Sequence, residues 1–186
     1  NLSQGFFEID FPVAKQRFGL VALPAWQGKK DPFFAIDGAL SWLVRDDALR
    51  EALVRVAARS GIGMVRERLT WGAVHPAADR WDWETRNRFD TLRRTYAKHG
   101  VEVLEMAHDG PGWMGRVAKY PQDLVAAAVS WQKIAAHWRP TWGALEIWNE
   151  PDISFGGDLP ADQYVALAKA ISYGLFGKTD VPLVGG

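Results

Sequence analysis

The sequence contains no cysteine, which excludes disulfides and thiolate-ligated metals. Histidine is scarce. His75, His99, His108 and His137 fall in no H-E-x-x-H or comparable ligand spacing, so no metal centre is expected. No apolar run is long enough to span a bilayer, so no membrane partner is expected. Neither sign of charge is in excess: 22 basic and 22 acidic residues give a formal net charge of +0. A nucleic-acid surface or an anionic-membrane binder needs a basic surplus, so neither is expected. Also missing is a G-x-G-x-x-G turn; "VALPAWQGKK" holds a single glycine, which speaks against a dinucleotide cofactor. No cofactor of any kind is implied. The chain opens on Asn1 without a charged-then-apolar leader, so a processed chain or a piece of a longer one is expected. "NLS" at 1–3 fits an N-glycosylation sequon, but its place at the very start makes it uninformative.

What is present is a sizeable apolar fraction, 48%, and ten tryptophans in 186 residues. With a mean hydropathy of -0.17 this is the composition of a globular chain with a real core. Indoles bury large areas, so core packing is the plain reading of the tryptophans. The sharper one is that some form flat platforms for sugar rings. Composition leaves both open.

Periodicity organises the chain. Strands are predicted over 18–23 ("FGLVAL"), 63–71, 101–107, 143–148 and 181–186, and helices over 46–61, 82–100, 121–138 and 160–177. Asp46 or Asp47 can cap the first helix, whose Leu49, Leu53 and Val56 share a face; Gly61 ends it. Phe89, Leu92 and Tyr96 do the same for the second. Pro121 suits the first position of the third, and Leu124, Ala128, Trp131, Ala135 and Trp138 line one side. In the fourth, Tyr164, Leu167, Ala168 and Ile171 fall together.

Strands alternating with helices mean βαβ units and a parallel sheet. The segments after the strands are long and aromatic, such as "PAWQGKKDPFFAIDGALSW" and "HDGPGWMGRVAKY". The helix-to-strand turns, such as "SGIG" and "HG", are short. That asymmetry favours a TIM (β/α)8 barrel with its functional face at the C-terminal ends of the strands over an open doubly wound sheet. A complete barrel takes about 250 residues. Residues 1–186 are therefore expected to be the N-terminal half, strands one to about five, of a single (β/α)8 catalytic domain. The remaining half would be missing or on a separate chain.

The run "LEIWNEPD" (145–152) passes from apolar residues into a carboxylate between an amide and a proline. Alternation puts Glu146, Trp148 and Glu150 on the axial side, with Glu150 just past the strand end. Pro151 is expected to restrict Glu150 to extended backbone angles. That would hold a carboxylate still at the cavity mouth, where partial burial raises the pKa of a general acid.

"IWNEPD", after a strand and three βα units, resembles the fourth-strand signature of the clan A retaining glycoside hydrolases, most closely family 39 and its relatives. The resemblance implies a (β/α)8 barrel that hydrolyses glycosidic bonds of an oligo- or polysaccharide. It implies Glu150 as general acid/base and Asn149 as the residue that binds the sugar 2-hydroxyl. "VRERLTW" (65–71) is similar to the clan's second strand, with Arg66 five residues before Trp71. In the clan this arginine orients the nucleophile and keeps it ionised. "WGAVHPAADRWDWE" (71–84) looks like its continuation. "VLEMAHDGPGWM" (103–114) resembles the third strand and loop, with His108 and Trp113 as cavity residues. The nucleophile of the clan is a glutamate at the end of strand seven, which these residues do not include. Glu67, Glu105 and Glu146 are poor substitutes, since each lies within a strand. By resemblance, a secreted or periplasmic location fits better than the cytoplasm.

Each assignment has a plainer alternative. Glu150 could be a loop carboxylate and Asn149 a turn-former. Arg66 could pair with Glu146 or Glu105, and Arg68 has the same parity. His108 could be a hydrogen-bonded loop histidine with Asp109 as its competitor. Trp71 and Trp113 could be packing residues. Trp26 is a possible outer platform, and Trp131, Trp138 and Trp142 go to the core. For the whole, the rivals are a carbohydrate-binding barrel without catalysis and a (β/α)8 enzyme of unrelated chemistry.

Overall fold

The computed structural model describes residues 2–24, 26–117, 119–153 and 161–185. Asn1 of the sequon, Pro160 at the start of the predicted fourth helix and Gly186 lie outside them.

Strands β1 (Gly5–Phe11) and β2 (Gln16–Ala22) form an antiparallel hairpin. Phe7, Ile9 and Phe11 stand opposite Leu20, Phe18 and Gln16. "FGLVAL" is thus one arm of a hairpin and not the first barrel strand. Its partner "GFFEIDF" lies one short turn away, and local antiparallel pairing closes at small entropic cost. The first barrel strand is β3 (Asp31–Asp37), inside the segment expected to be a long loop. Pro32 disguised it, because a proline demotes a run to an edge strand. An edge is where β3 sits, with β4 (Ile62–Thr70) as its only sheet neighbour among the described residues.

β3, β4, β5 (Glu102–His108), β8 (Trp142–Ile147) and β9 (Leu183–Gly185) form one parallel five-stranded sheet in chain order. A doubly wound sheet would reverse its order next to the first strand. Unbroken sequential order is barrel winding, and the chain has the fold of the N-terminal part of a (β/α)8 barrel. The two-residue strands β6 (Arg116–Val117) and β7 (Tyr120–Pro121) pair within the loop after β5. Pro121 is therefore in a strand and not at the start of a helix.

The first crossover carries the four-residue helix α1 (Leu40–Leu43) and then α2 (Asp47–Arg59), where Asp46 caps by accepting from the Leu49 amide at 2.7 Å. Its inner face is Arg50, Val54 and Ala57; Leu49, Leu53 and Val56 are exposed. Arg50 wins the inward position because its guanidinium donates to the carbonyl of Val44 at 2.8 Å and ion-pairs with Asp47. The one-turn helix α3 (Trp71–Val74) follows β4 directly. Helix α4 (Phe89–Lys98) starts later than periodicity predicted. The Asp82 carboxylate accepts from the amides of Glu84 and Thr85 and holds those residues in a turn. Helix α5 (Leu124–Trp138) is capped by Asp123, and α6 (Ala161–Leu175) buries Leu167 and Ile171. No helix among the described residues is long and apolar enough to cross a membrane.

Val65, Glu67 and Leu69 of β4 are buried toward the helices, while Arg66 and Arg68 take the other parity. Most of the core lies in this outer layer, where Trp71, Trp131, Trp138, Trp142 and Trp148 are all buried. Two carboxylates share it. Glu105 accepts from Arg93 and from the Trp142 indole, and Glu67 accepts from the Tyr96 hydroxyl at 2.6 Å. Burial beside Glu67 pushes the Tyr96 hydroxyl well above its ordinary range, so it stays a donor.

Candidate active site

A polar cluster gathers from the C-terminal halves of β3, β4 and β8 and the turn that follows β8. Arg66 is its centre. Nε donates to Glu146 Oε2 at 2.5 Å and Nη2 to Glu146 Oε1 at 2.6 Å, a bidentate fork. Nη2 also reaches Asn149 Oδ1 at 2.6 Å, and Nη1 reaches Asp37 Oδ2 at 2.9 Å. Asn149 Nδ2 then donates to Glu150 Oε2 at 3.1 Å. Arg68 closes the far side, donating from Nη2 to Asp37 Oδ2 at 2.7 Å and from Nη1 to Oδ1. The two arginines, Arg68 first, hold the Asp37 carboxyl below the usual carboxylate range against the opposing effect of burial. Glu146 in turn keeps Arg66 firmly charged.

The backbone that presents these groups is bent. Ala39, Asp109, Trp148 and Glu150 have φ of 43, 53, 71 and 42°, each just beyond a strand. Left-handed non-glycine residues at strand tips are the strained conformations that gather at functional sites. Two expectations fail here. Glu150 is not extended, although proline follows it. Tertiary contacts override the local preference: the Tyr120 hydroxyl holds the Pro151 carbonyl at 3.2 Å, and the Ile153 amide closes back on the Glu150 carbonyl at 3.3 Å. Nor does Trp148 follow the parity of Glu146. The strand ends at Ile147, and the left-handed turn sends the indole into the core, fully buried, 4.8 Å from the Tyr120 ring and 5.2 Å from His108.

The cluster brings together Arg66, Asn149 and Glu150. Arg66 pairs with Glu146, the plainer alternative, and also serves Asn149. Glu150 is exposed, not partly buried. His108 is buried at the end of β5, with Nδ1 3.0 Å from Asp109 and its ring against Trp42 and Trp148. Its hydrogen bond is the largest cause of the lowered Asp109 pKa.

Two tryptophans lie elsewhere. Trp71 is completely buried, edge-on to Trp131, and its indole donates to Ser130 Oγ at 2.8 Å. In this structure it is a packing residue, because β4 gives way to α3 at Trp71 and turns the ring outward to the helices. Trp113 donates to the carbonyl of His75 at 3.0 Å. It joins the aromatic ladder His75–Trp81–Trp83–His137, stacked at 3.7, 4.8 and 4.0 Å, which packs the loop after β4 onto α5. Trp26 precedes β3, and its amide donates to the carbonyl of Arg59 at the C-terminus of α2. That is the face opposite Glu150.

Asp37 and Trp42 lie in the segment that periodicity assigns to a loop, so neither is predicted as a site residue. A signal existed. "FAID" followed by glycine ends an apolar run on a carboxylate, as "LEIWNE" does.

Fold and site together define a (β/α)8 half-barrel with a carboxylate and amide pair at the tip of its fourth strand. The sequence matches no family model and no curated protein. Solved structures do match. A family 39 glycoside hydrolase from the gut symbiont Bacteroides cellulosilyticus WH2 aligns over 92% of this chain and 35% of its own, at 17% identity and a TM-score of 0.72. GH5_18 from Streptomyces cattleya, in complex with GlcNAc, aligns over 86% and 45% at 18% identity, TM-score 0.61. The exo-beta-1,4-mannosidase Op5Man5 from Opitutaceae bacterium strain TAV5 aligns over 82% and 31% at 14% identity, TM-score 0.58. The chain thus spans less than half the length of each of these proteins. The shared property is the fold, and the neighbours that display it are glycoside hydrolases.

Proposed function

We propose that residues 1–186 are the N-terminal part of the catalytic domain of a retaining glycoside hydrolase. The observation that carries this is the hydrogen-bonded chain Arg66–Asn149–Glu150 at the tip of the fourth barrel strand. Asn149 spends its carbonyl on Arg66 and one amide hydrogen on Glu150, which leaves one amide hydrogen for a sugar hydroxyl. Glu150 protonates the leaving glycosidic oxygen. A second carboxylate attacks the anomeric carbon, and Glu150 then takes a proton from the water that releases the sugar. The second carboxylate belongs to a later strand of the complete barrel. Glu67 and Glu105 are buried and occupied in the outer layer, and Glu146 is held by Arg66.

The test is Glu150→Gln in the complete protein, assayed on paired aryl glycosides. Turnover of a 4-nitrophenyl glycoside is expected to fall about 10²- to 10⁴-fold, the usual contribution of general acid–base catalysis. The first step on a 2,4-dinitrophenyl glycoside, whose leaving group needs no proton, should suffer far less. Unchanged turnover of the 4-nitrophenyl substrate would end the assignment.

A further inference from the structure

We propose that Asp37 is a substrate-binding residue of this site. Its carboxylate accepts a hydroxyl of a neutral sugar whose glycosidic oxygen faces Glu150, and Trp42 forms the apolar wall beside it. The inference rests on the glycosidase reading for the bond that reacts, while the subsite itself stands on the contacts of Asp37.

A carboxylate offers about four acceptor positions. Asp37 has three filled, two on Oδ2 by Arg66 and Arg68 and one on Oδ1 by Arg68. One position on Oδ1 stays open among the described residues, and the side chain is 45% exposed. Two guanidiniums keep it ionised and therefore acceptor-only, so what it takes is a donor such as a hydroxyl. One of those guanidiniums also places it in the site: Arg66 touches Asp37 with Nη1 and Asn149 with Nη2.

The strand tip that carries Asp37 is fixed. The amides of Gly38 and Ala39 both donate to the carbonyl of Arg66, at 3.1 and 3.4 Å. The amides of Leu40 and Ser41 and the Ser41 hydroxyl all donate to buried Glu67. A binding group locked from behind in this way is preorganised. Trp42 follows on the same tip, partly exposed, with the Arg68 guanidinium 5.8 Å over its ring and His108 against its edge. A flat ring beside an acceptor suits a sugar, which offers an apolar C–H face and hydroxyls at its rim.

Charge narrows the ligand. Among the described residues of the cluster, Asp37 and Glu146 match Arg66 and Arg68 one for one and Glu150 adds a further negative charge, which disfavours a uronate or sulfated sugar. A neutral glycoside is the substrate class that fits.

The experiment uses the complete protein and 4-nitrophenyl glucoside, xyloside, mannoside and glucuronide. Sugar binding is measured in parallel by tryptophan fluorescence in the Glu150→Gln background. At least one neutral glycoside should be turned over in preference to the glucuronide. Asp37→Asn should lower kcat/KM and weaken binding about tenfold to a hundredfold, the range of one hydrogen bond to a charged group. Asp37→Glu keeps the charge between the arginines and shifts the oxygens by a methylene. It should fold and show a similar loss, which secures the test if Asp37→Asn does not fold. Should either folded variant lose thermal stability yet keep wild-type kcat/KM and binding, Asp37 is only an ion-pair partner and the proposal is wrong. A preference for the glucuronide overturns it equally. Sugar binding that depends on Asp37, without any turnover in the wild type, would remove the glycosidase reading and leave the subsite standing.

Discussion

At the scale of single residues, the site is governed by how donors are shared. Five N–H groups are all that a guanidinium has. Arg66 commits two to Glu146, one to Asn149 and one to Asp37. Glu146 is then the residue that fixes the angle of Arg66, and through it the amide of Asn149 and the carboxylate of Glu150. Replacing Glu146 by Gln removes the charge and one acceptor from the fork while keeping its shape. Under the proposed function, kcat should fall at least about tenfold, since a small misplacement of a reacting group is costly, with KM changed much less. Measurement of kcat and KM separately on an aryl glycoside checks this; a rise in KM alone would mean that Glu146 acts on ground-state binding instead. Arg66→Lys should not rescue the site, because a point charge cannot make the planar fork.

Elements are held by a layer of buried charge and indole between sheet and helices. Arg93 of α4 and Glu105 of β5 pair in full burial, with Arg93 also over the rings of Phe89 and Trp138. Burial pushes the Glu105 carboxyl up and its arginine pulls it down. Arg93→Met would strand a buried carboxylate, and removing one partner of such a pair costs about 3–5 kcal/mol. Chemical denaturation should show that loss. The double variant Arg93→Met, Glu105→Leu should recover much of it, since an apolar replacement of both partners is often neutral or better. A single variant as stable as the wild type would show that the pair holds nothing together. The same layer explains the abundance of tryptophan. Trp71 and Trp131 meet edge to face, and the ladder from His75 to His137 staples a long loop to α5.

For the molecule as a whole, the sheet edges decide behaviour. β3 and β9 each have one sheet neighbour among the described residues, and the helices next to them in the chain carry exposed apolar side chains. Near β3, Phe33, Phe34, Leu49, Leu53 and Val56 are exposed, and a cavity of about 370 Å³ opens between the strand and α2. On α6, which leads into β9, Val165 and Tyr173 are exposed, as is Phe176 just beyond that helix. In a closed barrel these surfaces meet further strands and helices. Open edges with apolar flanks instead invite pairing between chains. A polypeptide of residues 1–186 alone is therefore expected to self-associate. Light scattering after gel filtration should give a mass above 20.8 kDa; a clean monomer at that mass would show that the edges are protected.

The sequence by itself determined the alternation of strands and helices, the parallel sheet, the asymmetry of its loops and the position of residue 150 just past a strand end. All of these follow from periodicity, capping and local order, which are properties of neighbours along the chain. It misplaced the first barrel strand, because a hairpin partner nearby and a proline within the true strand outweighed a pattern that only β4 could complete. It grouped Leu49, Leu53 and Val56 on one face of α2, but the face packed among the described residues is Arg50, Val54 and Ala57, because periodicity cannot weigh an arginine that finds its acceptors in the turn before the helix. It counted Trp71 and Trp148 toward the cavity, although the end of each strand turns those rings into the core. The tertiary structure alone decided these points, and it alone brought Asp37 to Arg66 and Arg66 to Asn149. The reason is physical. A hydrogen-bond network across three strands depends on register and on the turn at each strand tip, and both are set by contacts between segments that the linear sequence keeps apart.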